Sequence, residues 1–244
     1  MNAIFVLARR EFASFFATPI AYVFIAIFLI LSGIFTFFMG DLYERGQADL
    51  QPFFSFHPWL YLFLVPAIAM RGWAEERRSG TIELLMTLPI TVTQAVIGKF
   101  IAAWLVLLLA LLLTFPVWLT VNYLGQPDNG IILTGYLGSW LMAGAFLAIS
   151  LCMSALTKNQ VIAFVLAIAL CFLFVVAGSD LVLDAFTLWA DNSVVDTVAS
   201  FSFLQRFDAL SKGVIALNDV VYFLLSTGFW LYACQIIIEQ KKAA

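Results

Sequence analysis

Residues 100–122 read "FIAAWLVLLLALLLTFPVWLTVN". No acidic or basic side chain interrupts the run, and about 20 mostly apolar residues suffice to cross a bilayer as a helix. The rest of the chain shares this bias. Of 244 residues, 64% are hydrophobic and 11% charged, against about 45–50% and about 25% in a soluble domain. The mean hydropathy is +1.02. The chain therefore belongs to the membrane class. A net charge of −3 says little about partners, and nothing points to nucleic acid. Cys152, Cys171 and Cys234 sit inside apolar runs without metal-ligand or redox spacing, which makes them packing residues.

Outward from that run, five more stretches qualify as spans, giving six: near Ile20–Met39, His57–Trp73, Phe100–Asn122, Ile131–Leu156, Val161–Ser179 and Val220–Ile238. Pro66 and Pro116 lie inside two of them and are expected to kink their helices. The opening "MNAIFVLARREFASFFATP" lacks the order of a cleavable signal peptide. Its Ile4, Phe5, Ala8, Phe12, Phe15 and Phe16 recur at helical spacing, while Arg9, Arg10 and Ser14 fall off that stripe. This predicts an amphipathic helix in the membrane interface, ended by Pro19.

Positive charge sets orientation. With six spans, Arg9, Arg10, Arg71, Arg77, Arg78, Lys99, Lys158, Lys241 and Lys242 share a side with both termini, and only Arg45, Arg206 and Lys212 lie opposite. Both termini are thus expected in the cytoplasm. Asp180–Asp219 becomes the largest external segment. Phe203, Phe207, Leu210 and Val214 recur there at helical spacing, Gly213 reads as a stop, and Asn192 or Ser193 starts a shorter helix. One or two helices on the outer leaflet are expected, with Asp219 capping the last span.

The same topology makes 74–99 a cytoplasmic loop: "AEERRSGTIELLMTLPITVTQAVIGK". Gly80 ends the helix descending from the second span. Thr81–Leu88 fits a short helix with Glu83 in its first turn, where a carboxylate complements the helix dipole, and Pro89 stops it. At about 1.5 Å per residue it is far too short to cross a membrane. Two readings stand: a stub that docks in a groove of another protein, or a tight hairpin with no partner.

The loop motif "PAIAMRGWAEERRSGTIELLMTLPIT…IGKF" resembles the membrane subunits of ABC transporters of the type-2 permease class. The later "FSFLQRFDALSKGVIALNDVVYFLL" resembles their GldF/NosY-like branch, which includes gliding-motility and copper-site-maturation permeases. The resemblance covers essentially the whole chain. It implies an all-α integral membrane fold: an interfacial N-terminal helix plus six transmembrane helices, a short cytoplasmic coupling helix, and an external helical segment before the last span. Residues 1–244 would form a single transmembrane permease domain. By position, Glu75, Glu76, Gly80, Thr81, Glu83, Leu84 and Leu85 would contact the ATPase subunit, with Arg9, Arg10 and Glu11 of the interfacial helix beside them.

The chain lacks the G-x-x-x-x-G-K-[ST] phosphate cradle; its one Gly-Lys pair, Gly98-Lys99, is followed by Phe100. It is therefore expected not to be an enzyme. ATP and Mg belong on a separate ABC ATPase subunit, and a second permease chain, identical or related, completes the transporter. The expected location is the bacterial inner (plasma) membrane, multi-pass, within the lipid bilayer. The alternative is an integral-membrane anchor or assembly protein without a transport pathway. An intramembrane enzyme would want a Ser/His, HExxH or paired-Asp constellation, and none occurs. The single histidine, His57, reads as an ordinary interfacial residue at the external mouth of the second span. Met70, Met86, Met142 and Met153 are too scattered for a metal relay. Trp59, Trp73 and Trp189 fit an interfacial aromatic belt. Gly135, Gly138 and Gly144 would allow close helix approach, within the chain or across a dimer.

Overall fold

The computed structural model describes residues 3–82, 89–187 and 191–242. These are helical, and no strand occurs among them. Helix α1 (Ala3–Ala17) leads through Pro19 into α2 (Ile20–Ile34), which continues as a π-helical turn over Phe35–Met39. Three pieces follow in near-continuous succession: α3 (Gln51–Ser55), α4 (His57–Ala69) and α5 (Arg71–Ser79). Then come α6 (Val92–Leu112), α7 (Phe115–Leu124), α8 (Asn129–Leu156) and α9 (Gln160–Val176). Three short helices, α10 (Asp180–Thr187), α11 (Asn192–Ser200) and α12 (Phe203–Ser211), precede α13 (Leu217–Lys242).

Among the described residues, four helical stretches are long and apolar enough to cross a membrane: Ile20–Met39, Val92–Leu124, Asn129–Leu156 and Leu217–Lys241. Helix α9 has 17 residues and α4 has 13, so neither spans as one continuous helix by the same measure. The second expected span is divided at Met70, where α4 gives way to α5.

Helix α8 is the axis of the bundle. Its most apolar window is 83% buried, against 17% for that of α13. Helices α4, α6, α9, α12 and α13 all pack on it. Its glycines permit this. A methyl group at Gly135, Gly138 or Gly144 would fall within 2.5–3.0 Å of Phe54, Leu210 or Trp104, respectively. The close approach expected from these glycines is therefore made within the chain. A neutral polar layer crosses the interior: the Tyr61 and Ser139 hydroxyls meet at 2.8 Å, and those of Thr114 and Tyr136 at 2.9 Å.

The two prolines act differently. At Pro116 the helix breaks over Leu113–Thr114, and the Thr114 hydroxyl donates to the Leu111 carbonyl (2.6 Å). The proline nitrogen leaves the Leu112 carbonyl without its usual donor four residues on; the Thr114 bond serves the carbonyl one residue earlier. Helix α4 instead runs through Pro66, and the Pro66 carbonyl accepts the Met70 N–H at 2.8 Å.

On α1, Leu7 and Ala8 face the protein while Phe5 is 64% exposed. Several expectations need correction. His57 is wholly buried, not interfacial: it donates from Nδ1 to the Phe53 carbonyl (2.8 Å) amid the rings of Phe28, Phe53, Phe54 and Tyr61. Trp73 is likewise fully buried and leaves the proposed aromatic belt, whereas Trp59 is exposed. Trp189 lies outside the described residues. The segment before α13 holds three helices, not one or two. Phe203, Phe207 and Leu210 share one face as expected, but it is buried within the protein, and Val214 is exposed because the chain turns at Gly213 (φ +86°). Asn192 opens α11, but the cap position is Asp191. Asp219 does not cap α13. It sits in its first turn, buried, and binds Arg206 at 2.8 Å.

Candidate functional site

The charged loop singled out in the sequence starts on α5. Helix α5 ends at Gly80, whose φ of +72° is left-handed and suits glycine. The Ser79 hydroxyl donates to the Glu75 carbonyl (2.9 Å) and meets the Thr81 hydroxyl at 2.9 Å; Thr81 also donates to the Glu76 carbonyl (3.4 Å). Ser79-Gly80-Thr81 thus closes the helix with its own side chains. Thr81 and Ile82 are again helical. Glu83, Leu84 and Leu85, like the rest of 83–88, lie outside the described residues.

What holds α5 is a buried lysine. The Lys99 ammonium, 7% exposed, donates to Glu76 Oε1 at 2.7 Å and Glu11 Oε2 at 3.3 Å. It also lies 5.2 Å from the centroid of the Trp73 ring, within cation–π range. Arg10 pairs with Glu11 at 2.7 Å. Burial alone would raise the Glu11 carboxyl. Lys99 and Arg10 together outweigh it and hold the group below its ordinary range. One cation therefore ties α1, α5 and α6 together. Leu7 of α1 packs directly on Gly98, the residue before that lysine.

A second set of bonds fixes α5 to the end of α8. The Ser154 hydroxyl accepts the N–H groups of Trp73 and Ala74 (both 3.1 Å) and donates to the Met70 carbonyl (2.9 Å). It thus satisfies backbone groups exposed where α4 passes into α5. Arg77 donates to the Ala155 carbonyl (2.8 Å), and Lys241 donates to Leu156. Both cations sit at the negative end of the α8 dipole. Gln160 at the start of α9 bonds both Glu75 and Arg71.

The expected site residues therefore fall into groups. Glu76 and Glu11 share Lys99, Arg10 joins through Glu11, and Glu75 is exposed but tied to α9. Gly80 and Thr81 form the turn, and Arg9 is exposed on α1. Lys99, Trp73 and Ser154 were not among the expected site residues. A signal for Lys99 was present: it shares a helical face with Ala95, Ala102, Ala103 and Val106, all buried. Among the described residues the arrangement holds no nucleophile–base pair. Chemically, it can transmit displacement from the turn after Gly80 to two sets of helices.

A family model described as "ABC-2 family transporter protein" matches residues 6–237. Among curated proteins, none matches the chain.

Proposed function

Because the chain belongs to the ABC-2 family of transporter membrane proteins, we propose that this permease is driven by a separate ABC ATPase that docks on the turn after Gly80. The observation that carries the reading is the junction around Lys99. It ties the helix that ends at this turn to α1 and α6, so a push on the turn would be passed to both. In this reading residues 81–88 form a coupling helix, with Glu75, Glu76, Gly80, Thr81, Glu83, Leu84 and Leu85 at the ATPase contact and Arg9, Arg10 and Glu11 alongside. ATP and Mg sit on the partner.

The finer assignments go with it. The chain is a member of the GldF/NosY-like branch and forms one domain over 1–244. It crosses the bacterial inner membrane six times, α4–α5 completing the set as a broken span and α9 as a short one at the lower end of spanning length, with both termini cytoplasmic. A second permease chain completes the pathway.

The test is a pull-down with a candidate cognate ABC ATPase, together with ATP turnover in nanodiscs. Leu85→Asp places a charge on the docking side. Losing one desolvated interface contact costs about 2 kcal/mol, or about thirtyfold in affinity. Wild-type binding and turnover in Leu85→Asp would overturn the docking assignment and favour a plain membrane anchor. A cysteine introduced at Ser193 should react with an impermeant reagent from outside the cell; labelling from the cytoplasmic side alone would reverse the topology.

A further inference from the structure

A crevice of about 470 Å³ separates α2 from α4, within the volume range of small-molecule sites (about 300–1,000 Å³). Phe24 and Ile68 form its buried floor, and the exposed Val23 and Ile27 form one rim. Leu64 and Ala67 line the other side. It runs from Ile20 to Ile27 along α2 and from Arg71, the first residue of α5, back along α4 to Leu64. At about 1.5 Å per residue this is about 10 Å of depth, less than one leaflet of a hydrocarbon core about 30 Å thick. A spanning helix from a second copy would need a groove through both leaflets. A chain anchored in one leaflet fits the length.

The mouth is polar. The crevice opens into a pocket of about 240 Å³ that shares Thr18, Ile20, Ile68 and Arg71 with it and adds Glu11, Glu75, Glu76 and Lys99. Arg71 is exposed, and among the described residues its one hydrogen bond runs from Nε to Gln160 (3.3 Å). Its two terminal nitrogens remain for a bidentate partner such as a phosphate. Beyond Arg71 the pocket carries more carboxylates than cations, and Glu76 Oε2 is buried with no partner among the described residues. Such a pocket disfavours a purely anionic headgroup and accommodates an ammonium.

We propose that this composite cavity binds a glycerophospholipid with an amine-bearing headgroup, of the phosphatidylethanolamine class. One acyl chain lies between α2 and α4, the phosphate rests on Arg71, and the ammonium faces Glu75 and Glu76. The lipid would then wedge α1 and α2 against α4 and α5 beside the Lys99 junction.

The test uses the full chain without any ATPase, so its outcome is independent of the coupling assignment. The purified, delipidated protein is titrated with phosphatidylethanolamine, phosphatidylglycerol and diacylglycerol of matched acyl chains, and retained lipid is counted by native mass spectrometry. Phosphatidylethanolamine is expected to be retained best and diacylglycerol least. Arg71→Gln should lower phospholipid retention by about fivefold, the weight of one charge-assisted contact, and leave diacylglycerol unchanged. Arg78→Gln, an exposed cation on the same helix that lines neither cavity, should change nothing. Ala67→Trp, or Val23→Trp should the first fail to fold, fills the crevice and should reduce all three. Equal retention by Arg71→Gln and Arg78→Gln overturns the proposal, as does a preference for phosphatidylglycerol. Disulfide capture of Val23→Cys between two chains in native membranes would assign the crevice to a second copy instead.

Discussion

Lys99 is costly to bury, and its position is sustained by Glu11, Glu76 and the Trp73 ring. Replacing it with methionine keeps the stem but leaves two carboxylates sharing a partly buried site. Breaking a fully buried pair costs about 3–5 kcal/mol; here both carboxylates keep some solvent contact, 18% and 19% exposed, and about 2 kcal/mol is expected. For a chain of this size that is a fall of roughly 4–8 °C in Tm, readable by tryptophan fluorescence in detergent. Glu11→Gln in the Lys99→Met background should recover part of the loss; no recovery would mean the cost is packing alone. The pH dependence carries a sign. Glu11 is held below its ordinary value of 4.5, so its contribution is complete above that value and is lost as pH falls through the lowered one. Acid should therefore weaken the wild-type junction. In Lys99→Met the Glu11 carboxyl loses the lowering influence of Lys99, so the acid-induced loss of stability should be smaller than in the wild type. Parallel acid profiles for the two proteins would contradict this account of the site.

The helices with the longest apolar runs were legible in the sequence because hydrophobicity sustained over 20 residues has few other meanings. Glycine punctuation was equally plain at Gly80, where only the left-handed turn closes α5. Less visible was which apolar face meets protein and which meets lipid, because both environments suit the same side chains. Hence Trp73 read as a belt residue although it is wholly buried, and Val214 read as continuing the face of Phe203, Phe207 and Leu210 although it lies beyond the turn. Lys99 was missed for a related reason: its partners stand on α1 and α5, far away in sequence. Asp219 looked like a cap because Arg206 could not be placed against it beforehand. The packing of α12 on α8 depends on Gly138, where an added Cβ would come within 2.8 Å of Leu210. Gly138→Val should overpack this contact at a cost of about 1–3 kcal/mol and speed amide exchange across 203–211 before other regions open. Unchanged protection there would show that α12 is held mainly by its contacts with α3, α9 and α13 instead.

Across the molecule, the bonds at the end bearing Ala3 and Lys242 divide the bundle into two linked parts. Lys99 joins α5 to α1 and α6, while Ser154, Arg77 and Gln160 join α5 to α8 and α9. The turn after Gly80 is joined to α5 at one end and, through Thr91, to α6 at the other, so its displacement would bear on both. The α1–α6 contact is close and direct, so these two helices should travel as one body, with motion taken up elsewhere in the bundle. A built Cβ at Gly98 lies 3.2 Å from that of Leu7, slightly inside the roughly 3.5–4.5 Å usual for a disulfide, and a small adjustment would allow one. The native Cys152, Cys171 and Cys234 are free and buried, which favours selective oxidation of an engineered Leu7→Cys/Gly98→Cys pair. If α1 and α6 move together, the oxidised protein should keep ATPase binding and transport-coupled turnover within about twofold of the reduced form, since a rigid contact gains little from a covalent one. Turnover lost on oxidation and restored by reductant, with the ATPase still bound, would show that α1 must slide on α6 during the cycle. That result would place the moving boundary at Lys99 itself and sink the single-body reading of the junction.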